Sequence, residues 1–184
     1  MCGLGDADKC TEVKNNLAER GLGVLCLQET KLTAPSTFEA STFLPPNVSS
    51  FIALDAVGAS GGIITACDRR SVALYRSMPL HFSLTCFFSA TVDALFFTVT
   101  NVFAPCDAAS RPAFFAELVS LTPQCSCPWL VLGDFNVARA PEDKNNDHFN
   151  VSAAELFNDT INDLLLQELT LLDRRFTWSN KHRP

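Results

Sequence analysis

Five short apolar segments follow one another through the middle of the chain, and they limit the possible folds more than any other feature. Each is short enough to be a β-strand, and the breaks between them are short and polar. Strands that follow one another at such spacing usually pair as neighbours, which predicts an antiparallel meander. The five predicted strands lie at residues 50–54, 62–67, 72–76, 80–88 and 94–102.

A helix and a buried strand precede these five segments. The pattern over 8–20 predicts a helix with Asp8 as its N-cap. Residues 24–28 form a continuous apolar run, which is typical of a strand buried on both faces. Residues 33–47 are rich in Ser, Thr and Pro, so an irregular loop is expected there. The chain therefore enters the meander from a helix–strand unit and a loop.

Helices and strands alternate again after the meander. Ser110 is expected to cap one helix, and a capping box that begins at Ser152 opens another that extends to residue 167. Between them, residues 129–132 have the composition of a buried strand. Helices at both ends and hairpins in the middle predict an α/β fold, a four-layer α-β-β-α sandwich of two mixed sheets with outer helices.

The composition indicates one globular domain that is neither membrane-spanning nor secreted. Hydrophobic residues make up 47% and charged residues 18% of the 184, which excludes a disordered chain. No apolar run approaches the roughly 18 residues of a membrane span, and the N-terminus lacks a secretory signal. The eight cysteines have no metal-binding spacing, so reduced thiols in a nuclear or cytoplasmic protein are expected.

The net charge of −6 argues mildly against nucleic-acid binding, because DNA-binding proteins usually present a basic face. A bound divalent metal would add positive charge that the sequence count does not include. A basic segment outside these residues would have the same effect. Charge alone therefore leaves DNA binding open.

Two predicted strands end in carboxylates. Glu29 follows the strand at 24–28, and Asp134 follows the strand at 129–132, with Asn136 two residues further on. Ligand sites of α/β sheets gather at such strand ends, and two carboxylates that meet there need a proton or a cation between them. Oxygen ligands favour Mg²⁺ or Mn²⁺. The alternatives are a surface position for Glu29 and a simple Asx-turn at Asp134.

Five motifs occur in the order found in the endonuclease/exonuclease/phosphatase superfamily, and the chain resembles that family over nearly its whole length. The stretch 133–146 and the ending Phe-Thr-Trp-Ser-Asn-Lys resemble the endonucleases of plant LINE-type retrotransposons in particular. Each motif alone is weak, so the resemblance depends on their order. They are Cys26-Leu-Gln-Glu-Thr30, Gly61-Gly-Ile-Ile64, Asn101-Val-Phe-Ala-Pro105, Val131-Leu-Gly-Asp-Phe-Asn136 and Arg175-Phe-Thr-Trp-Ser-Asn180.

The resemblance implies a role for each site residue. Glu29 would ligate Mg²⁺ or Mn²⁺, Asp134 would orient or activate the attacking water, and Asn136 would bind the scissile phosphate. Trp178 lies in a segment that approaches DNA in relatives, and a buried aromatic position is the alternative. The implied reaction is in-line attack of water on phosphorus. In LINE relatives, the resulting nick frees a 3′-hydroxyl that primes reverse transcription.

Three departures from the family pattern predict a degenerate or inactive enzyme with weak or lost DNA binding. Phe103 stands where the family has a tyrosine, and loss of one transition-state donor costs about 10²–10³ in rate. The family's opening strand, with an Asn of the metal site, is expected to be missing, as are the C-terminal strands with the Asp-His acid–base pair. The sequence thus predicts a single, incomplete domain of this fold over 1–184.

Three other functions stay open from the sequence. The first is an active Mg²⁺-dependent nuclease that tolerates these losses. The second is a phosphatase of the same fold, which the Phe-Thr-Trp-Ser-Asn ending disfavours. The third is a non-catalytic binding domain, which would have no metal affinity at Glu29 and Asp134.

Overall fold

Two β-sheets pack face to face at the centre of the molecule. The computed structural model describes residues 3–57, 60–144 and 149–170. Its strands are β1 (Val24–Leu27), β2 (Ser50–Val57), β3 (Ser60–Cys67), β4 (Val72–Pro79), β5 (Ser83–Ala90), β6 (Phe96–Phe103) and β7 (Trp129–Asp134). The first sheet has the order β1-β3-β2 and is antiparallel. The second has the order β4-β5-β6-β7 and is mixed, because β6 and β7 run parallel.

Helices cover the outer face of each sheet. The first sheet packs against α1 and α2 through a cluster that includes Leu25 and Phe43, and the second packs against α3 and α4 through one that includes Val102 and Phe114. A third cluster fills the space between the sheets. The predicted four-layer α-β-β-α sandwich is thus confirmed, with the difference that only the second sheet is mixed over the described residues. The helices are α1 (Ala7–Ala18), α2 (Thr37–Phe43), α3 (Arg111–Leu121) and α4 (Val151–Asp163).

The predicted meander is correct only in part. β2 and β3 form a hairpin, and β4, β5 and β6 pair in succession, but the chain crosses from the first sheet to the second between β3 and β4. A tight turn makes this crossing, because the amides of Ser71 and Val72 donate to the carbonyl of Asp68. Both faces of β3 are covered by apolar clusters, so its sequence pattern could not indicate which neighbour it would have.

The segment 33–47 contains a helix where an irregular loop was expected. Ser36 and Glu39 form a capping box at the start of α2, since the Ser36 side chain accepts from the Glu39 amide and the Glu39 carboxylate accepts from the Ser36 amide. Phe43 then anchors the helix in the outer core, where its side chain is buried. Burial of one aromatic and local capping together outweigh the low helix propensity of the Ser and Thr residues.

Helix caps differ from the predicted ones. Asp6, not Asp8, caps α1, because its carboxylate accepts from two amides of the first turn. Asn150, not Ser152, caps α4, because its side-chain oxygen accepts from the Ala153 amide, and α4 ends earlier than predicted. Ser110 occupies the N-cap position of α3 but makes no side-chain capping bond. Several short polar residues precede each helix, and only the backbone geometry decides which of them reaches the free amides.

The described cysteines are all unpaired thiols, as the sequence predicts. Burial raises the pKa of Cys26 and of Cys86 to about 12, so both remain protonated at neutral pH and act as small apolar side chains. Within the ranges that the structure describes, no helix is long and apolar enough to cross a membrane.

Asp68→Asn is expected to destabilise the protein at neutral pH and to flatten its loss of stability in acid. Hydrogen bonds from Arg70 hold the pKa of the buried Asp68 carboxyl well below its usual range. A lowered folded-state pKa gives stabilisation that is complete above about pH 4 and is lost as the pH falls towards the folded pKa. Urea unfolding at pH 7 and pH 3 measures the effect. Asp159→Asn, at an exposed position on α4, is the control and should unfold at nearly the same urea concentration as wild type at pH 7.

Candidate active site

Strand ends from both sheets meet at one edge of the sandwich. Gln28 directly follows β1, and its Nε2 donates to Oδ1 of Asn101 in β6 at 2.6 Å. Three residues after Gln28, the Lys31 amide donates to the carbonyl of Gly61 at 3.0 Å. A Cβ built on Gly61 would lie 3.9 Å from the ring of Phe103, the last residue of β6. The end of β1, the start of β3 and the end of β6 therefore lie together.

Glu29 lies at this edge in an unusual backbone conformation. Its φ is 52°, in the left-handed region that non-glycine residues rarely adopt. The next residue, Thr30, is fixed because its amide donates to the Gly62 carbonyl at 3.1 Å and its own carbonyl accepts from Leu4. Gly62 has a φ of 83°, and a Cβ there would lie 2.5 Å from the Thr30 hydroxyl. The second glycine of the Gly61-Gly motif is thus required by the close passage of the Glu29 segment.

Asp134 ends β7 at the same edge. It is opposite Phe103 in the parallel pairing of β6 and β7. Side chains alternate along a strand, so Asp134 is on the face of β7 that carries Leu132, which packs in the core between the sheets. That face is turned towards the first sheet, and β1 contacts β7 across the sandwich. The exposed Asp134 carboxylate therefore lies at the edge where Glu29 follows β1.

Asn136 closes an Asx-turn on Asp134. Its amide donates to Asp134 Oδ1 at 3.0 Å, and its φ of 48° is one that asparagine tolerates better than most residues. Its side-chain Nδ2 donates to the Ala104 carbonyl at 2.7 Å, just after β6. A primary amide has two N–H donors, and this bond uses one of them. The local turn and the predicted phosphate contact are therefore compatible.

Phe103, which the resemblance predicts to stand at a tyrosine position, lies at this edge. Its half-buried ring packs against the core between the sheets, and it lies next to the start of β3 and opposite Asp134. An apolar ring here has no hydrogen-bond donor. Trp178 and its motif lie outside the described residues.

The edge thus brings together Glu29, Asp134, Asn136 and Phe103, and their chemical roles stay predictions. Within the described ranges, no three His, Cys, Asp or Glu side chains are grouped closely enough to form a metal cage. This donor set fits Mg²⁺ or Mn²⁺, since Mg²⁺ usually keeps several waters and binds one or two carboxylates together with substrate phosphates. It does not fit a structural zinc site, which needs four nitrogen or sulfur ligands.

Gln28 and Asn101 join the two sheets beside Glu29, and neither was predicted as a site residue. One signal was available, because Asn101 is a polar residue between two core-facing positions, Val99 and Phe103, on the otherwise apolar inner face of its strand. Its partner could not be inferred, since Gln28 and Asn101 are 73 residues apart in sequence.

No protein-family model matches the sequence, and no curated protein is similar to it at a significant level. Solved structures do resemble the fold. The Xenopus laevis APE2 catalytic domain is 16% identical with a TM-score of 0.58, and the match covers 82% of this chain and 63% of that one. Truncated Caenorhabditis elegans TDP2 is 12% identical with a TM-score of 0.53, and the match covers 79% of this chain and 60% of that one.

A third similar structure is ANGEL2, a 2′,3′-cyclic phosphatase, in complex with adenosine-2′,3′-vanadate. It is 17% identical with a TM-score of 0.53, and the match covers 71% of this chain and 44% of that one. The chain therefore spans between 44% and 63% of the length of these three structures. At such low identity the comparison supports the architecture alone: the chain shares the α/β sandwich of endonuclease/exonuclease/phosphatase-fold proteins.

Proposed function

We propose that this chain is a divalent-metal-dependent phosphodiester hydrolase, the DNA-nicking endonuclease domain of a LINE-type retroelement. The observation that supports it is the common edge at which Glu29 follows β1 and Asp134 ends β7. Carboxylates at the ends of two facing strands suit a hydrated cation and a phosphate. The resemblance of the Gly133–Asn146 region and of the Phe-Thr-Trp-Ser-Asn ending to plant LINE endonucleases supports DNA as the substrate.

Each site residue has a distinct task in this proposal. Glu29 would hold Mg²⁺ or Mn²⁺, and the bound ion would supply Lewis-acid stabilisation of the phosphoryl oxygens. Asp134 accepts a hydrogen bond from the attacking water and orients it towards phosphorus. Asn136 donates its second amide hydrogen to a phosphoryl oxygen while the first remains on the Ala104 carbonyl. The Asx-turn fixes the position of Asn136 relative to Asp134 for these two tasks.

The proposed enzyme is slow. Phe103 supplies no hydroxyl at a position between the two carboxylate-bearing strand ends, so one donor to the transition state is missing. Weak DNA binding is expected as well, given the net charge of −6. Reduced thiols fit a nuclear or cytoplasmic place of action.

Glu29→Gln is expected to abolish Mn²⁺ binding measured by calorimetry and to bring plasmid nicking to background. The substitution keeps the shape of the side chain and removes the charge that holds the cation. Glu155→Gln, at an exposed position on α4, is the matched control and should bind and nick like wild type. Equal Mn²⁺ affinity in wild type and Glu29→Gln would refute the assigned metal site.

Substrate choice separates the nuclease from the phosphatase, which remains a candidate because one structural neighbour is a 2′,3′-cyclic phosphatase. The nuclease predicts Mg²⁺-dependent conversion of supercoiled plasmid to the nicked circle, and no release of phosphate from nucleoside monophosphates or cyclic phosphates. Hydrolysis of the small phosphates without nicking would favour the phosphatase. Wild-type protein that binds no Mn²⁺ and cleaves nothing would leave the non-catalytic binding domain as the better interpretation.

A further inference from the structure

Asn101 is a completely buried amide that connects the two sheets. Its Nδ2 donates to the Ile64 carbonyl at 3.0 Å and to the Thr65 hydroxyl at 3.3 Å, both in β3. It also lies 3.4 Å from the Leu27 carbonyl at the end of β1. Its Oδ1 accepts from Gln28. A buried amide is unfavourable unless its hydrogen bonds are satisfied, so packing alone would be better served by an apolar residue.

The carbonyl oxygens around Asn101 fix the direction of the whole network. Backbone carbonyls can only accept, so the Nδ2 of Asn101 must face Ile64 and Leu27. Its Oδ1 then faces Gln28, which must present its own NH₂ group. The short distance of 2.6 Å between Gln28 Nε2 and Asn101 Oδ1 agrees with this arrangement. The Gln28 side chain is therefore held in one orientation by Asn101, whose own orientation is fixed by backbone carbonyls of the first sheet.

Glu29 lies between two anchors. On one side is the Gln28 side chain, and on the other the Thr30 amide donates to the Gly62 carbonyl at 3.1 Å. Between them the Glu29 backbone has a φ of 52°, a conformation that persists in a non-glycine residue only where its surroundings enforce it. Release of either anchor would let this residue return to a more common conformation, which would change the direction in which its side chain leaves the backbone.

We infer that Asn101, acting through Gln28, positions the Glu29 carboxylate for its cation. The inference rests on the proposed function for the role of Glu29, and it assigns positioning roles to two residues that touch neither metal nor substrate. Groups that orient a metal ligand typically change metal affinity or activity by about 10- to 100-fold when they are removed.

Thr65 provides the matched control. It belongs to the same buried network, because its hydroxyl accepts from Asn101 and lies near the Cys26 thiol, but it is in β3 and not next to Glu29. Thr65→Val keeps the volume of the side chain and removes a buried hydrogen bond, so it should lower Tm. If the network only stabilises sheet packing, Gln28 and Thr65 variants should behave alike.

Gln28→Met is expected to weaken Mn²⁺ binding about tenfold in calorimetry, while Thr65→Val binds like wild type at temperatures where both are folded. Methionine keeps the length of the side chain, and Gln28 is only half-buried, so the fold should be retained. Plasmid nicking by Gln28→Met should recover when Mn²⁺ is raised tenfold, which a general loss of folding would not do. Equal Mn²⁺ affinity in Gln28→Met and wild type would overturn the inference.

Amide hydrogen exchange separates failure of this inference from failure of the proposed function. Wild-type protein that binds no Mn²⁺ would refute the metal site, and the anchor would then be judged by exchange alone. In that case the Thr30 amide should exchange about tenfold faster in Gln28→Met than in Thr65→Val, because one anchor of its segment has been removed. Equal exchange of this amide in the two variants would refute the anchor.

Discussion

Gly133→Ala is expected to destabilise the protein by roughly 3 kcal/mol or more, a large share of the 5–15 kcal/mol that keeps a domain folded. Gly133 has a φ of 141°, which residues with a side chain rarely adopt. A Cβ at this position would overlap the Val102 carbonyl oxygen and lie 2.8 Å from the Val102 nitrogen. Val102 is fully buried backbone of β6, paired on both sides by β5 and β7, so it cannot move away.

Relief of that overlap requires the end of β7 to separate from β6. The next residue is Asp134, so the separation would also remove the carboxylate from the edge where Glu29 lies. The close pairing of β6 and β7 thus requires a glycine before this aspartate, whatever the chemistry of the site. Nicking, where it is measurable, should fall together with stability in this variant.

Urea unfolding measures the effect against two glycine controls. Gly5→Ala meets no atom within 4 Å and should change the midpoint little. Gly21→Ala also meets no atom, but its φ of 57° should cost about 1 kcal/mol. If Gly133→Ala unfolds at the same urea concentration as Gly21→Ala, the overlap with Val102 is relieved more easily than the backbone geometry indicates.

The apolar segments predicted the strands well because apolar clusters cover the strands, and the side chains that enter each cluster alternate along a strand. The same pattern failed at the connection after β3, because both faces of that strand are covered and its side chains do not distinguish one sheet from the other. Helix α2 was missed for a different reason. Its stability depends on the Ser36–Glu39 capping box and on burial of Phe43, and neither is visible in a composition rich in Ser and Thr.

The sequence could predict the site residues that lie at strand ends. It could not predict those that depend on contacts between the two sheets. Glu29 and Asp134 each follow an apolar run, so their positions at strand ends are local properties of the sequence. Their convergence depends on which strands face each other. The Gln28–Asn101 bond is a tertiary contact, and no periodicity within either segment indicates its partner.

Phe103→Tyr is expected to raise Mg²⁺-dependent plasmid nicking by about 10²–10³-fold, the rate that one transition-state donor typically contributes. Phe103 ends β6 at the candidate edge, where it is half-buried and opposite Asp134. A tyrosine hydroxyl can remain hydrated at such a position, and the packing of the ring in the core between the sheets should be kept. Tm should therefore change little.

Phe96→Tyr is the matched control, because it adds the same hydroxyl to the same strand at the opposite end. Phe96 is the first residue of β6 and is 55% exposed, so its hydroxyl would enter solvent far from Glu29 and Asp134. Nicking by this variant should equal that of wild type. A gain in Phe103→Tyr alone, abolished again by Glu29→Gln in the double variant, would tie the hydroxyl to the metal-dependent reaction. No gain in a variant that still binds Mn²⁺ would mean that the slow rate has a cause other than Phe103.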